Sequence, residues 1–475
     1  WINGQKDEGL RSAHIQEGGD PYLATMLRIY RGYEETCERV GVIDFAELLL
    51  RALELWKHNP SVLEHYQQRF KHILVDEFQD TNAVQYAWLR LLAGKVSAVT
   101  AVGDDDQSIY GWRGAKVENI LSYERDFPAT ETVKLEQNYR STSNILQAAN
   151  AVIAKNSGRL GKNLWTDAGE GEAIALYSAF NEHDEARYIA DRLHSWSTDG
   201  NRREDAAILY RSNAQSRVLE AALLQAEIPY RIYGGQRFYE RMEIKNALSY
   251  LRLMLNCHDD VAFERVVNVP PRGIGDRTLE ILRELARDNK TSLWTASVLV
   301  VSEKRMAARA TNAVAAFVEL VNEMSGQFDE LPLAEQAENA IQHSGLIEMH
   351  RREKGERGQA RVENLEELVG ACRNFEAEDR DLPVLPQFLD QVALDSGDRQ
   401  ADEDQDAAQL MTLHSAKGLE FPLVFIAGME ENLFPHKMSL DEPGRLEEER
   451  RLAYVGITRA KQKLYITFAE SRSIY

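Results

Sequence analysis

Ile73-Leu74-Val75-Asp76-Glu77-Phe78-Gln79-Asp80 is the stretch on which the reading of this chain turns. Ile73, Leu74 and Val75 form an apolar run with two β-branched members, the pattern of a buried parallel strand near its end. Asp76 and Glu77 follow where such a strand leaves its sheet, and in open α/β sheets ligands bind at that edge. One carboxylate there can hold a phosphate-bearing metal while its neighbour orients or deprotonates an attacking water. Taken alone, such a pair is more often a solvated acidic turn. The segments around it decide between the two.

Outward from this stretch the periodicity changes repeatedly. Residues 21–70 read as helical: Leu23, Met26, Leu27 and Tyr30 recur at helical spacing, and a further helix begins near Val42 with Asp44 as N-cap. Residues 71–136 alternate as strand 73–75, helix 82–93, strand 97–102, loop 103–114, helix 116–124 and a short strand at 132–135. A second α/β block runs through helix 141–154, strand 173–178, helix 182–195, strand 205–210, helix 213–226 and strand 229–233. From 236 to 392 the pattern is almost wholly helical. Six acids against the single base Arg399 between Asp395 and Asp406 mark an exposed, disordered exit linker. Strand patterns return at 410–413, 423–427 and 464–468. The expectation is an α/β protein in which a helical domain is inserted into the second α/β block, whose sheet the tail completes.

At 475 residues the chain accommodates two to four domains with sizeable cores. Cys37, Cys257 and Cys372 lie far apart without metal-ligand spacing, which suggests buried or incidental thiols in a reducing compartment. The longest apolar run, Leu293 to Val301, is too short to cross a membrane. A net charge of -20 argues against a nucleic-acid partner, yet a groove that tracks a backbone needs only a local positive lining. A start at Trp1 without Met and an abrupt stop at Tyr475 read as an excerpt of a longer protein.

Further segments carry chemistry. Gly103-Asp104-Asp105-Asp106-Gln107-Ser108-Ile109-Tyr110-Gly111-Trp112-Arg113-Gly114 is again a strand leading into a polar loop. Gln107 can donate to a phosphate oxygen and accept from a water. Tyr110 and Trp112 sit outside any helix or strand period, as base-stacking aromatics do, although packing onto the sheet would serve them as well. In Gln137-Asn138-Tyr139-Arg140-Ser141, Arg140 offers a guanidinium fork to a phosphate and Tyr139 a flat face to a base, unless Arg140 is a plain surface charge before a capped helix. His414-Ser415-Ala416-Lys417-Gly418-Leu419-Glu420-Phe421 is another strand-to-turn passage. Beyond it, Leu452, Val455 and Arg459 share one helical face, so Arg459 is either an arginine finger or part of a self-paired surface.

Five motifs in this order, Val75 to Thr81, Gly103 to Gly114, Gln137 to Ser141, His414 to Phe421 and Tyr454 to Ala460, resemble the motif set of superfamily 1 helicases of the UvrD/Rep/PcrA type. The resemblance implies two RecA-like parallel-sheet motor domains, the first incomplete, with helical insertions. Residues 1–70 would be a helical insert of the first motor and 71–136 its C-terminal part. Residues 137–235 and 405–475 would form the second motor, with 236–404 as its inserted helical domain and linker.

It implies ATP and Mg²⁺: Asp76 on the metal, Glu77 activating water, Gln107 sensing the γ-phosphate, and Arg140 and Arg459 on the transferring phosphate. Tyr139 would stack on adenine, and Glu420, beside Gly418, would contact ribose. Phe45, Tyr110, Trp112, His414 and the Arg211-Ser212-Asn213 loop would touch single-stranded DNA. Gly273 and Gly275 would grip duplex backbone, and Tyr475 would match the tyrosine of a strand-separating hairpin. It further implies a cytoplasmic monomer or dimer acting at single-strand/duplex junctions with DNA repair proteins and no membrane. A recombination helicase–nuclease module and a non-catalytic repair scaffold are the alternatives. One departure stands out: no G-x-x-x-x-G-K-[S/T] phosphate loop occurs in the chain. The resemblance places that loop upstream of Trp1, so the chain alone is expected to hydrolyse ATP poorly.

Overall fold

The computed structural model describes residues 1–94, 98–233, 235–326, 331–353, 356–377, 379, 382–397, 405–440 and 444–472. Within them the chain forms two compact units. The first comprises Trp1–Ile174, Ala416–Glu420 and Phe434–Leu464.

In this unit β1 (His72–Val75) and β2 (Ala98–Ala101) pair in parallel, Ile73 opposite Val99 and Val75 opposite Ala101. The crossover helix Ala83–Ala93 starts in a reciprocal capping box between Asn82 and Gln85. It turns Tyr86 and Leu89 onto the fully buried Phe78, beneath the sheet. Because the strands are parallel, their C-terminal ends meet at one edge. The Val102 amide donates to the Val75 carbonyl at 2.7 Å and the Phe78 amide to the Val102 carbonyl at 3.0 Å. The polar loops after Val75 and Val102 are therefore neighbours.

Helices Pro21–Val40, Phe45–His58 and Pro60–Arg69 precede the sheet. Asp44 caps the second, its carboxylate accepting from the Glu47 amide at 2.7 Å. The strand expected at 132–135 is not formed. Val133 and Leu135 alternate with Lys134 and Glu136, but among the described residues the segment finds no partner strand, and both side chains are exposed. Two consecutive short helices, Val117–Leu121 and Tyr123–Asp126, stand where one was expected over 116–124.

The second unit holds Ala175–Ser415, Phe421–Leu433 and Tyr465–Tyr475. Its six-stranded sheet is built from β3 (Ala175–Ala179), β4 (Ala206–Tyr210), β5 (Tyr230–Ile232), β6 (Ala408–Thr412), β7 (Phe421–Ile426) and the later residues of β8 (Ala460–Ala469). The order is β3-β8-β7-β4-β6-β5. Every residue of β4 is buried, as its unbroken Ala-Ala-Ile-Leu-Tyr run requires between parallel neighbours β6 and β7. β5 and β6 pair directly although residues 233–407 separate them in sequence. Helices between Met242 and Gly397 fill that interval around their own core, which includes Tyr250, Phe263, Phe317 and Leu365. Residues 398–404 of the expected acidic linker lie outside the described residues. Among the described residues no helix is long and apolar enough to cross a membrane.

Candidate nucleotide site and nucleic-acid interface

The sheet edge of the first unit collects the hydrolytic candidates. Asp76 is exposed just past β1, one oxygen accepting from the Glu77 amide at 2.9 Å. Glu77 adopts a left-handed backbone, φ 49°, which costs an L-residue roughly 1–2 kcal/mol. Such an outlier persists only where its surroundings hold it, and here they do: Gln79 donates to its carboxylate at 2.5 Å and the Lys417 ammonium lies 3.3 Å away. Gln79, fully buried, also accepts from the Asp104 amide at 2.9 Å. A Cβ at residue 103 would stand 2.7 Å from the Gln79 side-chain amide oxygen and 3.2 Å from the Phe78 Cβ, so Gly103 is what lets the second loop come this close.

Lys417 unites the cluster. Its ammonium meets Asp80 at 2.5 Å and the Gln107 carbonyl at 3.0 Å, and lies 5.2 Å from the Tyr110 ring centre. Burial pushes the Asp80 carboxyl up, against the pull of Lys417. The other Asp80 oxygen is buried with no hydrogen-bond partner among the described residues. The Gln107 side chain donates to Asp104 at 2.7 Å.

Asp104, Asp105 and Asp106 lie close enough together to hold a metal. Each is already engaged. Arg159 grips Asp106 with two 2.6 Å hydrogen bonds, Lys162 pairs with Asp104, and the Leu160 amide donates to Asp105 at 2.9 Å. This ion-paired set is satisfied from within the fold.

A cationic pair forms nearby in the same unit. Arg140 donates to Glu420 at 2.6 Å and to the Thr458 carbonyl at 3.3 Å, and Lys461 reaches the other Glu420 oxygen at 2.7 Å. Lys461 and Arg140 hold the Glu420 carboxyl down at about 2. Arg459 follows the helix Arg445–Ile457 by two residues and is buried. Among the described residues it donates to neutral oxygens, the Val455 and Leu419 carbonyls and the Thr458 hydroxyl. Burial and the Arg140 charge pull it down to about 10. Two guanidinium groups that share one carboxylate, Glu420, have the chemistry to receive a further anion. Tyr139 is 84% exposed, and Gly418, at φ 85°, has open space where a Cβ would project.

Three aromatic candidates also belong to this unit. Phe45 opens its helix 90% exposed, an unfavourable state for a large apolar ring in water. Trp112 is 38% exposed, with the Arg113 guanidinium 4.4 Å from its ring centre. Tyr110 packs at 6.5 Å from Trp112, edge to face, so these two share one surface.

The remaining candidates belong to the second unit. Half-buried His414 follows β6. Arg211, Ser212 and Asn213 follow β4, their loop already tied inward: Ser212 donates to Glu363 at 2.6 Å, and the Asn213 carbonyl accepts from Arg241 at 2.7 Å. Gly273 takes φ 80°, while Gly275 caps the helix Asp276–Asn289; both are exposed. Tyr475 lies outside the described residues. Sequence reasoning missed Asp80 and Lys417 as site members. Asp80 sits inside the opening motif and Lys417 beside Gly418, but only the fold brings them together.

The UvrD/REP helicase N-terminal domain matches residues 1–128, and the UvrD-like helicase C-terminal domain matches residues 133–471. The chain is 61% identical to DNA helicase II of Escherichia coli (strain K12) over all of its own length and 66% of that protein's. It is 56% identical to DNA helicase II of Haemophilus influenzae, again over 100% of the chain and 66% of the relative. Against the ATP-dependent DNA helicase PcrA of Bacillus subtilis it is 44% identical over 96% of the chain and 62% of the relative. The chain thus spans just under two thirds of the length of these relatives. With both domain models matched in order and this identity along the whole sequence, the chain belongs to the UvrD/REP helicase family.

Proposed function

We propose that this protein is an ATP-dependent DNA helicase that moves 3′ to 5′ on single-stranded DNA and opens duplex at junctions during DNA repair. Its similarity to DNA helicase II and to the ATP-dependent DNA helicase PcrA supports the reaction class. The observation that carries the reading is a cation excess, Arg140, Arg459 and Lys461 gathered around one carboxylate, Glu420, in the same compact unit as the Glu77–Lys417–Gln107 cluster. A structural ion network would balance such cations with carboxylates. A nucleotide site leaves that balance to phosphate.

Asp76 fits a hard cation: it is exposed at the strand end, and one of its oxygens has no partner among the described residues. Asp76 would hold Mg²⁺, which supplies charge neutralisation on the phosphates when bound. Glu77 takes the proton of the attacking water, its carboxylate aimed by Gln79 and Lys417. Gln107, oriented through Asp104, contacts the γ-phosphate. Arg140 and Arg459 meet the developing phosphate charge, Tyr139 covers the adenine, and Glu420 with Gly418 borders the ribose. Phe45, Tyr110 and Trp112 receive bases, with His414 and the Arg211–Asn213 loop on the backbone and Gly273 and Gly275 on duplex. Residues 71–136 with the 1–70 insert serve as one motor, 137–235 with 405–475 as the other, and 236–404 as a duplex-gripping insertion. Lacking a phosphate loop of its own, the 475-residue chain turns over ATP slowly by itself.

The test is Glu77→Gln in the full-length protein. DNA-stimulated ATP hydrolysis should fall on the order of 10²–10⁴-fold with single-strand binding retained. Wild-type turnover in the variant would overturn the reading. Unwinding of 5′-tailed but not 3′-tailed duplex would overturn the direction.

A further inference from the structure

In the first unit the helix Arg445–Ile457 leads at one end to Arg459. Its N-terminal turn carries acids that are spent on loops. Glu447 accepts from the Ser157 amide at 3.0 Å and the Ser157 hydroxyl at 2.8 Å. Glu448 accepts from the Gly111 amide at 3.0 Å. Gly111 opens the short 3₁₀ turn Gly111–Arg113, whose middle residue is Trp112. A Cβ on residue 111 would stand 2.9 Å and 3.2 Å from the two Glu448 carboxylate oxygens. A side chain at 111 would therefore have to displace the Glu448 carboxylate, and Gly111 has an ordinary negative φ that would not otherwise demand glycine. The contact is charge-assisted and joins residues far apart in sequence.

We propose that Glu448 is a positioning residue: it fixes the Trp112 loop to the helix that leads into Arg459, and so couples DNA contact at Trp112 to phosphate contact at Arg459. This rests on the helicase reading above. One rigid element then reaches both the DNA-facing ring and the phosphate-facing guanidinium, and the hydrogen bond from Gly111 is the joint between them. Breaking it lets the loop move independently of the helix. The DNA concentration needed to stimulate hydrolysis then rises, whereas hydrolysis without DNA, which does not use Trp112, changes little.

The experiment titrates ATPase activity of the full-length protein with a single-stranded homopolymer. Glu448→Gln keeps the shape and an acceptor but removes the charge. It should raise the half-stimulating DNA concentration about fivefold, as expected when a charge-assisted hydrogen bond becomes a neutral one. Gly111→Ala should raise it too. Because its clash needs the carboxylate, Gly111→Ala with Glu448→Ala should be no worse than Glu448→Ala alone. Unchanged half-stimulation in Glu448→Gln, or strictly additive effects of the two alanine changes, would overturn the coupling role. So would a fall of stimulated and unstimulated rates in the same proportion with a lowered melting temperature, the mark of a merely structural contact. A wild-type protein that DNA does not stimulate at all would instead remove the helicase reading itself.

Discussion

Lys417 has a side chain only 6% exposed, yet it carries a full charge within reach of Asp80, Glu77 and the Gln107 carbonyl. A buried ammonium is tolerable only when paired, and so is the carboxylate that pairs with it. Lys417→Met keeps most of the volume and removes the charge, leaving Asp80 buried beside no cation. We expect a loss of about 3 kcal/mol at neutral pH. The sign of its pH dependence follows from Asp80. Burial has already raised the Asp80 carboxyl, and losing Lys417 raises it further. A group with a raised folded-state pKa binds its proton more readily when folded, so stability falls as pH rises through that pKa. The deficit of Lys417→Met should therefore shrink on acidification, read as urea midpoints at pH 5 and pH 7.5; a deficit independent of pH would count against the pairing. Asp76, Glu77 and Arg459 could be singled out in the sequence because the acids follow a strand and Arg459 follows a helix. Lys417 was not, because its role depends on three loops meeting, which no spacing records. Likewise the polar loop through Asp104–Asp106 gave no sign in sequence of Arg159 and Lys162, which the fold sets against it.

The helix Phe45–His58 shows how an element can present an exposed ring without fraying. Asp44 caps it, and the same carboxylate also takes the Lys6 ammonium and the Tyr33 hydroxyl, each at 2.7 Å. In the first turn Glu47 receives Arg11 at 2.9 Å, Lys6 at 2.8 Å and Arg51 at 2.6 Å. Burial alone would raise the Glu47 carboxyl, but these three cations hold it down at about 2. A depressed carboxylate contributes stability above its unfolded pKa, near 4.5, and loses it as pH falls towards 2. Glu47→Gln should cost about 3 kcal/mol at pH 7, and its gap from wild type should close between pH 4.5 and pH 2. Denaturant unfolding at pH 7 and pH 3 checks this; a gap of equal size at both would show that Glu47 acts through packing. The Asp44 cap was legible from sequence because capping is local. The Lys6 and Arg11 partners were not, and neither was the fate of 132–135, whose alternation fits a strand for which the fold supplies no neighbour.

Across the whole molecule the two sheets differ in a way that composition conceals. Parallel sheets are ordinarily covered on both faces and built from several strands. The sheet of the second unit meets that condition: β4 is wholly buried between β6 and β7, and residues from Ile189 to Phe425 close a core over it. The two-stranded sheet of the first unit does not. Leu74 in β1 is 79% exposed and Val102, just past β2, 55%, and the buried core beneath consists of Phe78, Tyr86 and Leu89 with partly buried neighbours. Burying apolar area is worth about 25 cal/mol per Å², so the first sheet gains far less on folding than the second. Local opening free energies follow this difference, because an amide exchanges when its own cooperative unit opens. Hydrogen exchange on the 475-residue chain should therefore show the Ile73–Val75 and Val99–Ala101 amides exchanging at least about tenfold faster than those of Ile208–Tyr210 and Val424–Ile426. Thermal unfolding should follow in more than one step, with a van't Hoff enthalpy below the calorimetric one. Equal protection of both sheets, or a single two-state transition, would mean that the exposed faces of β1 and β2 carry no cost and that the small core under Phe78 suffices.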